Sequence, residues 1–212
     1  MITSKGGYAP EEEPNDETDT GWILPAVNTC EELEQDFVNY IKNQRAKVVS
    51  DSSYKKGHST AGFVTVGKVK LTRDEIELNS RIHGQITLPS TNKKDHSSYR
   101  GELGGILAAV VYTNKVCEKH KVSAGICEIG LDNKGAIAAA FGWKRPNPRW
   151  SCYDIVSMIR YNIKHSPIKW TSRHVKGHQD DAKRFGELDE WGAGECSRRS
   201  TSEGIVQSCK GL

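Results

Sequence analysis

No run of apolar residues in this 212-residue chain approaches the roughly 20 positions needed to span a bilayer. The N-terminus also lacks a basic segment followed by an apolar core, so no secretion signal is expected. An intracellular location follows as an expectation, with nucleus and cytoplasm not distinguished. Cysteine is sparse and scattered: six residues, at positions 30, 117, 127, 152, 196 and 209, without a Cys-x-x-Cys pair. In a chain with no secretion signal such cysteines are expected to be reduced and structural. Without closely spaced ligand pairs, a zinc site is not expected either. Residues 1–20 hold almost no large apolar side chains and are rich in Gly, Pro, Glu, Asp and Thr. Such a segment cannot bury enough surface to offset its ordering entropy, and it is predicted to be a disordered acidic tail.

What is present starts with charge. The formal net charge is +3, but residues 1–20 carry −5, which leaves +8 on the rest. A basic body is compatible with a polyanionic partner such as nucleic acid. The length leaves room for one domain of ordinary size plus a tail, and composition reaches no further than a soluble globular protein.

Periodicity marks the elements. Thr29-Cys30-Glu31-Glu32 has capping-box spacing, and Leu33, Phe37, Tyr40 and Ile41 follow at helical intervals, predicting an accessory helix over about 29–43. Val48–Ser53 reads as a β-branched strand ending in an acid, Asp51, followed by a Lys55-Lys56-Gly57 turn. Ala61–Val66 and Glu75–Ile86 read as two more strands, the latter with Ile76, Leu78, Ile82 and Ile86 on one face. Ser97-Ser98 can cap a helix over about 99–120, whose stripe is Leu103, Ile106, Leu107, Val110 and Val111. Gly104-Gly105 within it allows a close approach to the sheet. Gly125–Leu131 is the next strand, ending at Asp132, and Gly135–Phe141 a short helix. Ile155, Met158, Ile159 and Ile163 mark a helix that Pro167 ends, and the stretch Ile168–Asp180 reads as a last strand running into a glycine-hinged loop. A final helix is expected over about 188–198. The order β-β-β-α-β-α-α-β-α implies an α/β fold, a mixed sheet with helices on both faces.

Chemistry concentrates in three acids. Parallel neighbours end on the same side of a sheet, so Asp51 and Asp132, at the ends of the first and fourth strands, should face each other. Glu102 lies in the first turn of the helix that begins near that edge. Three converging oxygen donors suit a hard divalent cation. Each acid alone has a plainer reading, as a turn former or a partner of the helix dipole.

The loop after the last strand narrows the choice. Lys176-Gly177-His178 resembles the corresponding loop of type 1 ribonuclease H domains. The run Arg173–Asp181 looks most like the version found in retroelement reverse-transcriptase polyproteins. The resemblance covers roughly residues 46–191 and implies a five-stranded sheet of order 3-2-1-4-5. It matches Asp51 in Ser50-Asp51-Ser52-Ser53 to the aspartate that bridges two metals. Glu102 in Tyr99-Arg100-Gly101-Glu102-Leu103 matches the catalytic glutamate, and Asp132 in Gly130-Leu131-Asp132-Asn133 the second aspartate. His178 matches the mobile histidine that helps product leave or assists proton transfer. The implied cofactor is a pair of Mg²⁺ ions, with Mn²⁺ as the alternative. The implied activity is hydrolysis of the RNA strand of an RNA–DNA hybrid, recognised through 2′-hydroxyls and duplex shape. Lys55, Lys56, Lys144, Arg145 and Arg149 are candidate phosphate contacts or plain solvated charges. Trp143 and Trp150 are expected in the core rather than against a sugar.

A fourth metal-associated aspartate is where the sequence departs from the resemblance. Asp189, in Leu188-Asp189-Glu190-Trp191, lies eleven residues after His178 and can fill that place or stand by it. In the alternative register Glu195 and Arg199 hold the family's Asn and Asp positions, and an arginine there opposes a cation. The expected layout is an acidic tail over 1–20, an accessory helix over 21–45, a ribonuclease H-like domain over 46–195 and an irregular tail over 196–212. A monomer is expected. No reverse-transcriptase Tyr-x-Asp-Asp motif is present, so the chain reads as the nuclease portion or a detached fragment. Two other readings stay open: a decayed domain that binds nucleic acid without cutting it, and an integrase-like transferase, against which the Lys-Gly-His loop argues.

Overall fold

The computed structural model describes residues 27–55, 57–66, 82–88, 97–177 and 191. The elements are β1 (Val27–Asn28), α1 (Glu31–Lys42), β2 (Ala46–Lys55), β3 (His58–Val66), β4 (His83–Thr87), α2 (Ser98–Lys119), β5 (Ile126–Leu131), α3 (Lys134–Phe141), α4 (Tyr153–Lys164) and β6 (Lys169–His174). They build one mixed sheet of six strands in the order β1-β4-β3-β2-β5-β6. Without its first strand, this is the expected 3-2-1-4-5 order. The two-residue β1 is the addition, pairing antiparallel with β4 through Val27↔Gly84.

Alternation sorts each strand's side chains between two layers. Ala46 and Val48 of β2, Ala61 and Phe63 of β3, and Cys127, Ile129 and Leu131 of β5 face the main core. There they meet α2, and α1, α3 and α4 each contact α2 in turn. Every residue of α2 from Gly101 to Thr113 is buried, because the helix lies between the sheet and other helices. Phe63, Ile41, Leu103, Ile106, Leu107 and Ile129 are all under 2 % exposed. Burying one such side chain is worth about 1.5–3 kcal/mol. The expected close approach at Gly104-Gly105 is present: a Cβ on Gly104 would run into Leu88, and one on Gly105 into the Ser50 hydroxyl. The other face carries Val49 and Val64, covered by Val175 and Trp191, the latter in helical conformation.

Three expectations change. The first strand does not stop at Asp51: β2 runs on to Lys55, because it forms a long hairpin with β3 through Lys55↔His58. The capping box at Thr29 is not formed. Cys30, one residue after Thr29, is the N-cap of α1 without a side-chain cap bond, while two acids of that first turn, Glu31 and Glu34, pair with the end of α2. Lys119 Nζ donates to Glu31 Oε2 at 2.5 Å and to Glu34 Oε2 at 2.6 Å. Tyr112 Oη donates to Glu34 Oε1 at 3.1 Å, and His120 Nε2 lies 3.2 Å from Glu34 Oε2. This clasp ties α1 to the end of α2. The strand expected over Glu75–Ile86 is His83–Thr87 in its described part, with Ile82 and Ile86 buried as expected. Ile76 and Leu78 lie outside the described residues, as do most of the expected final helix, residues 1–26 and residues 192–212.

Among the described residues no helix is long and apolar enough to cross a membrane. Cys30, Cys117, Cys127 and Cys152 are thiols. Burial pushes Cys117 up to about 11 and Cys127 well above the ordinary thiol range, which leaves both unreactive.

Candidate functional site

The register of β2 against β5 places two of the three acids. Their parallel ladder ends at Val49↔Gly130, and two residues further on Asp51 and Asp132 stand level. Asp51 remains inside β2 while Asp132 falls just past the end of β5. β2 therefore projects beyond its neighbour, and the space next to it is open for Asp132 and the loop that follows β6. The third acid arrives on α2. Ser97 caps that helix by accepting from the Arg100 backbone N–H at 3.0 Å, which starts the helix at Ser98 and places Glu102 fifth, just past the first turn where the sequence had put it. One ligand oxygen from each of Asp51, Glu102 and Asp132 lies within 4.8 Å of the others. Glu102 is buried at 4 % exposure, Asp51 is half-buried and Asp132 is exposed.

Several contacts hold this geometry. The Ser52 hydroxyl donates to Glu102 Oε1 at 2.7 Å, and the Ser52 backbone N–H donates to Asp51 Oδ1 at 2.5 Å. Arg100 reaches from α2 to Asp154 at the start of α4, its Nη1 donating to Oδ1 at 3.1 Å and its Nη2 to Oδ2 at 2.7 Å. Burial alone would raise the Asp154 carboxyl, but the Arg100 guanidinium outweighs it and holds the group below its usual range. His174 Nε2 donates to the Asp132 carbonyl at 3.0 Å, and Val175 N donates to Leu131 O at 2.9 Å. The end of β6 thereby fixes the backbone that carries Asp132. Gly177 comes so close that a Cβ on it would lie 2.5 Å from Asp132 Oδ2, so the Lys-Gly-His loop needs its glycine to pass this carboxylate.

Two ionised carboxylates within 4.8 Å repel by about 3 kcal/mol or more at an effective dielectric near 20. Three of them at one sheet edge call for a cation. The donor set is all oxygen, and the glycine leaves the rim next to Asp132 uncrowded, so the residues fit a hard divalent ion such as Mg²⁺. A second group with ligand spacing, Glu31, Glu34 and His120, already has Lys119 as its cation.

The other expected site residues fall as follows. His178, Asp189 and Lys56 lie outside the described residues, as do Glu195 and Arg199. Lys55 is exposed at the end of β2, and Lys144, Arg145 and Arg149 are exposed on the loop between α3 and α4. Trp143 and Trp150 are not in the core: Trp143 is 90 % exposed and Trp150 38 %. The reason is local. α3 ends at Phe141, and Pro146 and Pro148 carry the chain away from the sheet before α4 begins. Arg160 pins this loop, donating through Nε to Ala139 O at 2.8 Å and through Nη1 to Lys144 O at 2.5 Å. Lys144 Nζ lies 5.9 Å from the centre of the Trp143 ring. Ser52 and His174 were not singled out from the sequence. The signal for Ser52 was alternation, which puts residue 52 of the strand on the α2 side.

No family model matches the chain, and no curated protein matches it by sequence. Among solved structures it is similar to the RNase H1 of the halophilic archaeon Halobacterium salinarum NRC-1, at 13 % identity over 64 % of this chain and 89 % of that one, with a TM-score of 0.43. It is also similar to LC11-RNase H1, solved in complex with an RNA/DNA hybrid, at 10 % identity over 65 % and 88 % of the two chains, TM-score 0.44. The prototype foamy virus protease-reverse transcriptase aligns at 13 % identity over 71 % of this chain and 20 % of that one, TM-score 0.38. Independently of these alignments, the order β4-β3-β2-β5-β6, the helix that follows β4 and the three converging acids stand on this chain's own coordinates. The sheet order and the three converging acids are those that the sequence resemblance to type 1 ribonuclease H domains implies.

Proposed function

We propose that the protein is a metal-dependent endonuclease that hydrolyses the RNA strand of RNA–DNA hybrids and is derived from a retroelement. The observation that carries the reading is the convergence of Asp51, Glu102 and Asp132 at one sheet edge. These three residues would hold the metal, two Mg²⁺ or Mn²⁺ ions in this reading, with Asp189 as a fourth ligand. Bound there, divalent ions supply an activated water and charge neutralisation at a phosphodiester. The chain's own residues do the rest. Asp51 offers its charge from inside β2 and Asp132 from just past the end of β5, and Glu102 closes the set from the sheltered side. His178 follows the glycine that skirts Asp132, where it can carry a proton or ease product out.

The substrate class follows the resemblance of the Lys176-Gly177-His178 loop. Lys55, Lys56, Lys144, Arg145 and Arg149 serve as phosphate contacts. Trp143, exposed on a pinned loop among three of those cations, adds a flat apolar surface for a sugar or base. The protein acts as a monomer inside the cell.

The test is cleavage of matched RNA–DNA hybrid, double-stranded RNA and double-stranded DNA in Mg²⁺. Cutting confined to the RNA of the hybrid, and abolished by Asp51→Asn, supports the reading. Binding without cutting would indicate a decayed domain, and cutting of DNA would indicate an integrase-like transferase.

A further inference from the structure

We propose that Ser52 is a positioning residue of the carboxylate site: its hydroxyl holds the Glu102 carboxylate in place for the cation, and Gly101 is the position that leaves room for it. The inference rests on the metal-site reading above and adds a residue to it. Ser52 follows Asp51 on β2, and alternation turns its side chain toward α2. There the hydroxyl lies 2.7 Å from Glu102 Oε1 and 3.2 Å from the Ser98 carbonyl oxygen. A hydroxyl has one hydrogen to give. The shorter contact, to the carboxylate oxygen, takes it. The backbone N–H of the same residue donates to Asp51 Oδ1 at 2.5 Å. A single residue thus fixes two of the three carboxylates relative to each other.

The chemistry suits the task. Glu102 is 4 % exposed, and a carboxylate that deeply buried needs donors to remain ionised. Lysine or arginine would supply donors but would cancel the charge a cation needs. A neutral hydroxyl stabilises the anion and leaves its charge available, in the way outer hydrogen bonds orient metal ligands generally.

The packing around Ser52 points the same way. A Cβ on Gly101 would lie 2.7 Å from Ser52 Cβ, 2.8 Å from its Oγ and 3.4 Å from the Thr60 carbonyl oxygen. The Thr60 oxygen of β3 is at ordinary contact distance, so Ser52 is what a side chain at 101 would have to displace. Ser59, on the same strand, donates through Oγ to the Ser97 carbonyl at 2.8 Å. The first turn of α2 is therefore pressed onto the β2–β3 hairpin, and the side chain at 52 fits only because residue 101 has none.

Two measurements on the full chain test this. The first is Mn²⁺ binding without nucleic acid, by titration calorimetry or electron paramagnetic resonance. Ser52→Ala should weaken Mn²⁺ binding about tenfold, while Asp51→Asn and Glu102→Gln should abolish it. Wild-type affinity in Ser52→Ala would overturn the role of the hydroxyl and leave the metal site standing. Wild-type protein that binds no Mn²⁺ at this cluster would overturn the metal reading itself, and with it the role given to Ser52. The second measurement is a thermal-melting cycle that requires neither metal nor activity. Gly101→Ala should lower the melting temperature by several degrees in the wild type and by much less in Ser52→Gly. Equal losses in both backgrounds would overturn the packing half of the proposal.

Discussion

Asp51 stands next to two like charges, and this sets a conflict between stability and function at a single residue. Replacing it with asparagine keeps the oxygen that accepts from the Ser52 N–H and removes the repulsion. In metal-free protein Asp51→Asn should therefore melt about 2–6 °C higher than wild type, while cleavage is lost and added Mg²⁺ no longer shifts the melt. A lower melting point would mean that the three acids do not share a metal-free repulsion. His178 tests another part of the site. If it moves a proton or releases product, His178→Ala should slow turnover by about 10²-fold or more with hybrid affinity unchanged. Lost hybrid affinity in a binding titration would make it a contact residue instead. The three acids could be read from the chain because each sits at a position that strand or helix periodicity defines. Ser52 was legible only as to its side of the strand, since its partner Glu102 is fifty residues away and only packing brings the two together.

Among the elements, α1 depends most on polar contacts. Burial would raise the Glu34 carboxyl, but hydrogen bonds from Lys119, His120 and Tyr112 outweigh it and hold the group below its usual range. The same pairing pushes Lys119 up to about 12. A carboxyl lowered in the folded state adds stability above its unfolded value, and that stability is lost as pH falls through the folded value. The wild-type melting temperature should therefore drop more between pH 6 and pH 3, on the order of a few degrees, than that of Glu34→Gln. At neutral pH Glu34→Gln itself should cost about 1–2 kcal/mol. Parallel pH profiles for the two proteins would remove the clasp from the stability of α1. The helix was evident from Leu33, Phe37 and Ile41, but its N-terminus was misread. Capping-box spacing describes a local choice, whereas Lys119 and His120 reach Glu31 and Glu34 from a helix more than eighty residues away.

Among the described residues the two faces of the sheet are covered differently. One carries four helices, and on the other Val49, Val64 and Val175 lie under Trp191. Lys47 Nζ lies 5.2 Å and the Arg173 guanidinium 5.6 Å from the centre of that ring. Trp191→Ala should cost about 3–5 kcal/mol, read as a fall in denaturation midpoint. A loss below about 1 kcal/mol would mean the second face is closed by something else. The sequence by itself determined the α/β class, the order of the elements from β2 to β6 and the positions of Asp51, Glu102 and Asp132, because apolar periodicity and chain-order signals are local. Tertiary structure alone decided the sixth strand, since two residues at Val27–Asn28 carry no periodicity and find an edge only once β4 exists. It also decided the exposure of Trp143 and Trp150. An aromatic side chain reads as core in any sequence, and only the course of the chain after Phe141 places these two at the surface. The level stance of Asp51 and Asp132 is the clearest case: both acids were legible, but their meeting follows from a parallel register between β2 and β5, which joins segments some eighty residues apart.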